Sequence, residues 1–390
     1  MKFREDGTFH ILQITDIQEI PQVSEDTLRL IASGLDRTRP DLVVLTGDQL
    51  KGGSRRFGRN AERVEETLRR ILAPVTARGI PFAVTFGNHD AQCGVSNEEQ
   101  MEMYRRIPGC VDWLNSRGQE IYHGPQEGTF ALGIQSRDEK RTVMAVYLID
   151  SGSEMPRGGY QSLHPAQIYW YKGVRDTLAQ LNGQMVPGIV FQHIPMPEYY
   201  RLFSRTDKRA RGAVRAYRTH ANEFYVLNRK KCREGELKEA VSIPDGNARE
   251  FESFRECGDI FAVYCGHDHK NSFVGRTGGM DLGYTPSCGF HEYGDGVNRG
   301  VREFVFHEEN PAAYETRLLT YRELVGDRPQ NPVKDFFYKL CPATWEEALD
   351  GVKKGALIAG AVWLAARMVC EGRKVDGRRE SGGGHSGEET

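Results

Sequence analysis

Residues 81–90 read PFAVTFGNHD, an apolar run that stops abruptly at Gly87, Asn88, His89 and Asp90. Runs of this length, rich in Val, Ile and Phe, mark strands buried on both faces. A residue just past such a strand is held at a sheet edge. The pattern recurs along the chain: FHILQIT (9–15) leads to Asp16, DLVVLT (41–46) to Gly47-Asp48, GIVFQ (188–192) to His193, and DIFAVYC (259–265) to Gly266-His267-Asp268-His269. Each strand delivers a group that can hold a metal or carry a proton.

Two helical patterns separate the first three strands. Ser24 is placed to cap a helix through about Arg37, with Leu28, Ile31 and Leu35 at helical spacing and Pro40 just beyond its end. Asn60 is placed to cap a second, carrying Val64, Leu68, Ile71 and Leu72, with Gly79 where a C-terminal cap belongs. Strand and helix alternating in this way predict parallel strands whose following turns crowd along one sheet edge, the place where ligands bind in such sheets. Further strand-like runs at 129–134, 142–150, 280–284, 300–306 and 314–320 supply a second sheet, and 165–181 reads as a helix between the halves. The expected class is α/β, with two packed mixed β-sheets flanked by helices.

The 390 residues allow one large domain or two modest ones. Lys plus Arg (52) nearly balance Asp plus Glu (54), which excludes a polybasic nucleic-acid binder or an acidic disordered tail as a description of the whole chain. Charge is informative only locally. Residues 201–233 hold eleven Lys or Arg against Asp207 and Glu223, and read as a basic insertion near the cleft mouth. A main domain is expected over 1–325, a C-terminal extension over 326–370 and a disordered tail over 371–390. The uninterrupted apolar run GALIAGAVWLAA (355–366) lies between Lys353-Lys354 and Arg367. It falls short of the ~20 residues of a membrane-spanning helix and reads as a terminal helix docked on the domain or a partner, with a membrane surface as the alternative. Eight cysteines with no C-x-x-C pair, and no secretory leader at residues 1–13, give a cytoplasmic expectation with reduced thiols, membrane association being the variant that 355–366 allows.

Asp16, Asp48, Asn88, His193, His267 and His269 outline a dinuclear metal site. Asp48, central among the strands, can bridge two divalent ions ~3.5–4 Å apart, a separation that clamps a phosphoryl group. The two histidines of Gly-His-Asp-His can turn to opposite sides of the pair, and Gly266 permits close backbone approach. His291, in the glycine-rich CGFHEYGDG, is a candidate to line the cleft and touch substrate. His10, His123, His164, His220, His307 and His385 lie outside any motif and read as surface or core; Tyr199 and Tyr200 read as packing.

At these residues the chain resembles the calcineurin-like metallophosphoesterases, over about 8–320. Within that family it looks most like the purple-acid-phosphatase-related branch that includes Dcr2-type phosphatases, through His193-Ile-Pro-Met-Pro-Glu-Tyr and Gly266-His-Asp-His-Lys-Asn271. The resemblance implies a four-layer αββα sandwich. It implies one ion held by Asp16, Gln18, Asp48 and His269, and a second by Asp48, Asn88, His193 and His267. It also implies hydrolysis of phosphate esters by a metal-bridging hydroxide, with Asp48 central to catalysis and Asn88 and His89 contacting substrate. His89 is the expected leaving-group acid, Asp90 an orienting or structural residue, and Asp268 a support for the ligand turn.

Two positions depart from the family pattern. Asp16-Ile-Gln18 replaces the usual Asp-x-His, which makes the first site richer in oxygen and favours Mn²⁺ or Fe over Zn²⁺. Lys51 stands where true purple acid phosphatases have a tyrosine, so no tyrosinate colour is expected. The substrates implied are small phosphorylated molecules or phosphoproteins. The rival readings are a phosphodiesterase or nuclease on this fold, with nucleic acid held by 201–233, and a non-catalytic metal-binding scaffold.

Overall fold

The computed structural model describes residues 1–111, 121–343, 347–349 and 352, and Met1–Cys341 form one compact unit. The expectations for the apolar run 355–366 and for the tail 371–390 fall outside the described residues.

The first half of the chain runs β1 (Thr8–Ile14), α1 (Glu25–Thr38), β2 (Leu42–Thr46), α2 (Ala61–Thr76), β3 (Phe82–Thr85), α3 (Asn97–Arg105), β4 (Ile121–His123), β5 (Phe130–Gln135) and β6 (Thr142–Ile149). The middle adds α4 (Pro165–Asn182), β7 (Gly188–Gln192), β8 (Phe203–Thr206), β9 (Val214–Arg215), β10 (Phe224–Leu227) and β11 (Cys232–Glu234). Then come α5 (Glu250–Cys257), β12 (Ile260–Cys265), β13 (Val274–Thr277), β14 (Met280–Tyr284), β15 (Gly300–His307), β16 (Glu315–Thr320), α6 (Tyr321–Leu324) and α7 (Pro332–Leu340).

One sheet has the order β16-β15-β1-β2-β3, parallel where β1, β2 and β3 meet and antiparallel at β15 and β16. A second has the order β11-β13-β14-β12-β7-β6-β5-β4, with β14, β12, β7 and β6 parallel. Alternation along the strands generates four layers. In β1, Leu12 and Ile14 face the core under α1 and α2, while Phe9 and Ile11 face the other sheet. In β6, Met144, Val146 and Leu148 share that inter-sheet core, while Ala145, Tyr147 and Ile149 pack toward α4 and α5. These strands are apolar on both faces because both are covered. Each fully buried Leu, Val or Phe contributes about 1.5–3 kcal/mol. The result is the αββα sandwich.

Polar ties cross the inter-sheet core. Arg302 of β15, wholly buried, donates to Glu234 Oε1 (2.6 Å) and to the carbonyls of Ser272 (2.9 Å) and Tyr284 (3.2 Å). Gln13 of β1 accepts from the Thr285 hydroxyl at 2.6 Å.

The helices start where the caps predict, with one difference. Asn60 accepts from the Arg63 amide, whereas the Ser24 side chain makes no capping bond; its amide donates to Glu19 Oε2 instead. The basic segment 201–233 is structured: β8, β10 and β9 form a small antiparallel sheet. Several of its charges are matched, Arg201 by Glu252, Arg205 by Glu223, Arg218 by Asp245 and Arg233 by Asp281. The described cysteines form no disulfide. Among the described residues no helix is long and apolar enough to cross a membrane.

Candidate metal centre

The carboxyl ends of β1, β2 and β3 meet those of β7 and β12 at the seam between the sheets. Asp16 N–H donates to the Gly47 carbonyl (3.2 Å) and Gln18 N–H to that of Asp48 (2.9 Å), which fixes the first two turns against each other. His193 Nδ1 bonds the Thr46 carbonyl at 2.9 Å, so the second sheet is tied to the end of β2 and the Nε2 edge is presented inward. Glycine is required where these turns touch. A β-carbon on Gly266 would collide with the Thr15 hydroxyl and the Asp16 carboxylate, and one on Gly87 with the Asp48 carboxylate.

Asp16, Asp48 and His193 each present a ligand atom within 4.8 Å of the others. All are buried. His193 Nε2 lies 3.3 Å from Asp48 Oδ2, 3.1 Å from Asn88 Oδ1 and 3.2 Å from His267 Nδ1. On the other side His269 Nε2 lies 3.4 Å from Asp16 Oδ1, while its Nδ1 bonds the Tyr293 carbonyl at 2.8 Å. Gln18 Nε2 donates to Asp48 Oδ2 (2.8 Å) and approaches His269 Nε2 to 3.5 Å. The fold therefore gathers all seven proposed ligands into one cluster.

Burial opposes charge on Asp48, His193, His267 and His269, and neighbours decide the outcome. For His193, Asp48 and Asp16 overcome burial and push the imidazole up to about 10. For His269, hydrogen bonding and attraction from Asp16 do so, up to about 9. His267, buried beside His193, is driven well below the ordinary imidazole value. Asp48 is held low, against the effect of burial, by His193 and His89.

The donor set fits a cation. Among the described residues neither Asp16 nor Asp48 has a Lys or Arg ion-pair partner, although buried charges are ordinarily paired or bound to metal. Asp16 Oδ1, Asn88 Nδ2 and His267 Nε2 are buried without hydrogen-bond partners. Oxygen and imidazole donors suit divalent first-row ions.

The other singled-out residues take distinct places. His89 is part-exposed beside the cluster; its amide donates to Asp48 Oδ1 (2.8 Å) and its Nδ1 pairs with Gln92 Oε1 (2.8 Å). Asp90 is structural: its carboxylate receives the amides of Gly87, Asp48, Gln49 and Leu50 and so anchors the Asp48 turn. Asp268 turns away from the cluster and accepts from the Ser242 amide and, at 2.5 Å, from Tyr284. His291 pairs through Nδ1 with buried Glu19 at 2.5 Å. Tyr199 and Tyr200 pack, their hydroxyls spent on backbone carbonyls. His164 caps α4 by accepting from the Ala166 amide.

Sequence reasoning missed four neighbours. Glu19 receives Ser24 N–H, the Thr27 hydroxyl and His291, organising the loop behind Gln18. Tyr160 sets its ring edge against His267 (centroids 4.4 Å apart) and stacks on Tyr217, which brings the basic segment to the rim. Tyr293 stacks on His269 at 4.2 Å. Only Glu19 carried a signal, as an acid immediately after the first motif.

Residues 9–271 match the family model for calcineurin-like phosphoesterases, and the chain belongs to that family. Its relatives lie in the purple-acid-phosphatase-related and Dcr2-like part of it. It is 25% identical over 334 residues to probable inactive purple acid phosphatase 14 of Arabidopsis thaliana, covering 77% of this chain and 76% of that protein. It is 25% identical over 324 residues to probable inactive purple acid phosphatase 29 of the same plant, covering 75% of each. It is 26% identical over 297 residues to Phosphatase DCR2 of Saccharomyces cerevisiae, covering 70% of this chain and 46% of that protein.

Proposed function

We propose that the protein is a phosphoesterase dependent on two divalent cations, with Mn²⁺ or Fe favoured over Zn²⁺. The observation that carries this is the buried pair Asp16 and Asp48, uncompensated by Lys or Arg among the described residues and faced by imidazoles from the second sheet. One ion would be held by Asp16, Gln18, Asp48 and His269, the other by Asp48, Asn88, His193 and His267. When bound, such ions supply a nucleophilic water at neutral pH and neutralise charge on a phosphoryl group.

The chain's own residues do the rest. Asp90, by fixing four backbone amides, holds the Asp48 turn rigid. Asn88 presents its Oδ1 to the cluster, beside His193 Nε2. His89, positioned through its amide by Asp48 and through Nδ1 by Gln92, offers Nε2 to the leaving oxygen and can protonate it as the P–O bond breaks. Acids match four of the eleven cations in 201–233, which lowers what that segment offers to a nucleic-acid backbone, and a small phosphorylated molecule or a phosphoprotein is the substrate class we favour.

A non-catalytic scaffold is the second reading, favoured by the amide at position 18 and by the two plant relatives named as probable inactive phosphatases. The deciding experiment is hydrolysis of p-nitrophenyl phosphate and bis-p-nitrophenyl phosphate by metal-stripped protein resupplied with Mn²⁺, Fe²⁺ or Zn²⁺, with bound metal counted. Metal-dependent turnover that Asp48→Asn abolishes supports the enzyme. Metal bound with no turnover of either ester supports the scaffold.

A further inference from the structure

Helix α7 carries an amphipathic pattern turned inside out. Asn331 caps it by accepting from the Lys334 amide, and Pro332 fills its first turn. Its polar side faces the protein. Asp335 Oδ1 lies 4.0 Å from the Nε of wholly buried Arg299, Lys339 Nζ lies 3.9 Å from Asp295, and the Tyr338 ring meets the ammonium groups of Lys334 (5.1 Å) and Lys51 (5.9 Å). Lys270 Nζ donates to the carbonyl of Cys341, just past the helix, at 2.8 Å. The apolar side faces water: Val333, Phe336, Phe337 and Leu340 are 66%, 58%, 62% and 64% exposed. Their spacing of three, four and seven residues from Val333 sets all four on one helix face. A surface helix of a globular protein is ordinarily arranged the other way, with its apolar stripe on the core.

The chain beyond α7 identifies what covers this face. Fourteen residues separate Leu340 from the apolar run GALIAGAVWLAA (355–366). That run has no polar group except the Trp363 indole and so no side to turn to water, and four α7 side chains are too few to shelter it. A second copy of the chain would bring a second such run and double the apolar surface to be covered. A bilayer surface takes in both the run and the helix face. The indole suits the interface, and the bounding Lys353, Lys354 and Arg367 suit anionic head groups. We propose that the outward face of α7 and the run 355–366 attach the protein to the surface of a lipid bilayer that contains anionic lipid, without spanning it. This does not rest on the chemistry proposed above. Lys51 follows Asp48 by three residues and Lys270 follows His269 directly, so attachment through α7 brings the bilayer beside the loops that carry metal ligands.

The test is co-sedimentation of the full chain with vesicles of mixed phosphatidylcholine and phosphatidylserine, and sedimentation velocity without vesicles. Wild type is compared with a protein carrying Phe336→Ser and Phe337→Ser, both exposed positions whose change should leave Tm unaltered. Wild type is expected to sediment with the vesicles, and the double variant to partition about tenfold less or weaker still. The proposal is overturned if wild type stays in the supernatant. It is overturned equally if the double variant binds as wild type does, which would leave α7 out of the contact. A wild-type dimer that ignores vesicles and is split by the double substitution would overturn it in favour of an interface between copies. Should the double variant not fold, Val333→Ser with Leu340→Ser tests the same face and decides in the same way.

Discussion

The metal centre draws its oxygen donors from one sheet and its imidazoles from the other. Asp16, Gln18, Asp48 and Asn88 follow strands of the five-stranded sheet, whereas His193, His267 and His269 follow strands of the eight-stranded one. In the first set backbone amides hold the two carboxylates, that of His267 on Asp16 and that of His89 on Asp48. In the second, backbone carbonyls position the rings of His193 and His269, and His267 sits against His193. Neither sheet alone holds a complete site, so ion binding reports how the two halves pack.

The largest expected effect breaks the oxygen half. Asp48→Asn should lower kcat with aryl phosphates on the order of 10³-fold and reduce bound metal, measured by turnover and metal content together. Breaking the nitrogen half should cost less per residue, because in the proposed ligand sets each imidazole serves one ion whereas Asp48 serves both: His267→Ala is expected to weaken metal affinity about 10–100-fold in a metal titration. Gln18→His blurs the division by placing an imidazole among the oxygens. It should raise Zn²⁺ affinity relative to Mn²⁺ by roughly tenfold, and an unchanged ratio would show that position 18 is not a ligand.

The smallest effect sharpens the comparison through pH. In the metal-free protein His193 and His269 are raised, to about 10 and about 9, so both are protonated at pH 7. Their contribution to stability is complete below an imidazole's ordinary value near 6.5 and is lost as pH rises through 9 to 10. Tm of the metal-free protein should therefore fall across that window, and that of the loaded protein should fall less. Loading near neutral pH should release protons from the nitrogen half, visible with an indicator dye in weak buffer.

Much of this arrangement is legible in the sequence because strand ends are a local signal. A run such as DLVVLT followed by Gly47-Asp48 states both the strand and the residue at its edge. The helices were legible from Asn60 and from the 3.6-residue spacing of Val64, Leu68 and Ile71. Loop neighbours were not. Tyr160, Tyr217 and Tyr293 meet the histidines only because segments far apart in sequence converge, and nothing in their local pattern distinguishes them from packing tyrosines. Asp90 showed the converse: an acid inside the motif that serves the backbone, since its neighbour's amides were nearer than the cluster.

Asp16, Gln18, Asp48 and His267 all sit in left-handed backbone, at φ of 48°, 39°, 55° and 76°. For a residue with a side chain this costs about 1–2 kcal/mol, and the surrounding turns enforce it in the bare protein. The ligands are thus set before an ion arrives, as a socket is cut before the plug. Filling it requires no refolding of the chain, so metal exchange is governed by ligand protonation and access, and the bare and loaded proteins should share one backbone.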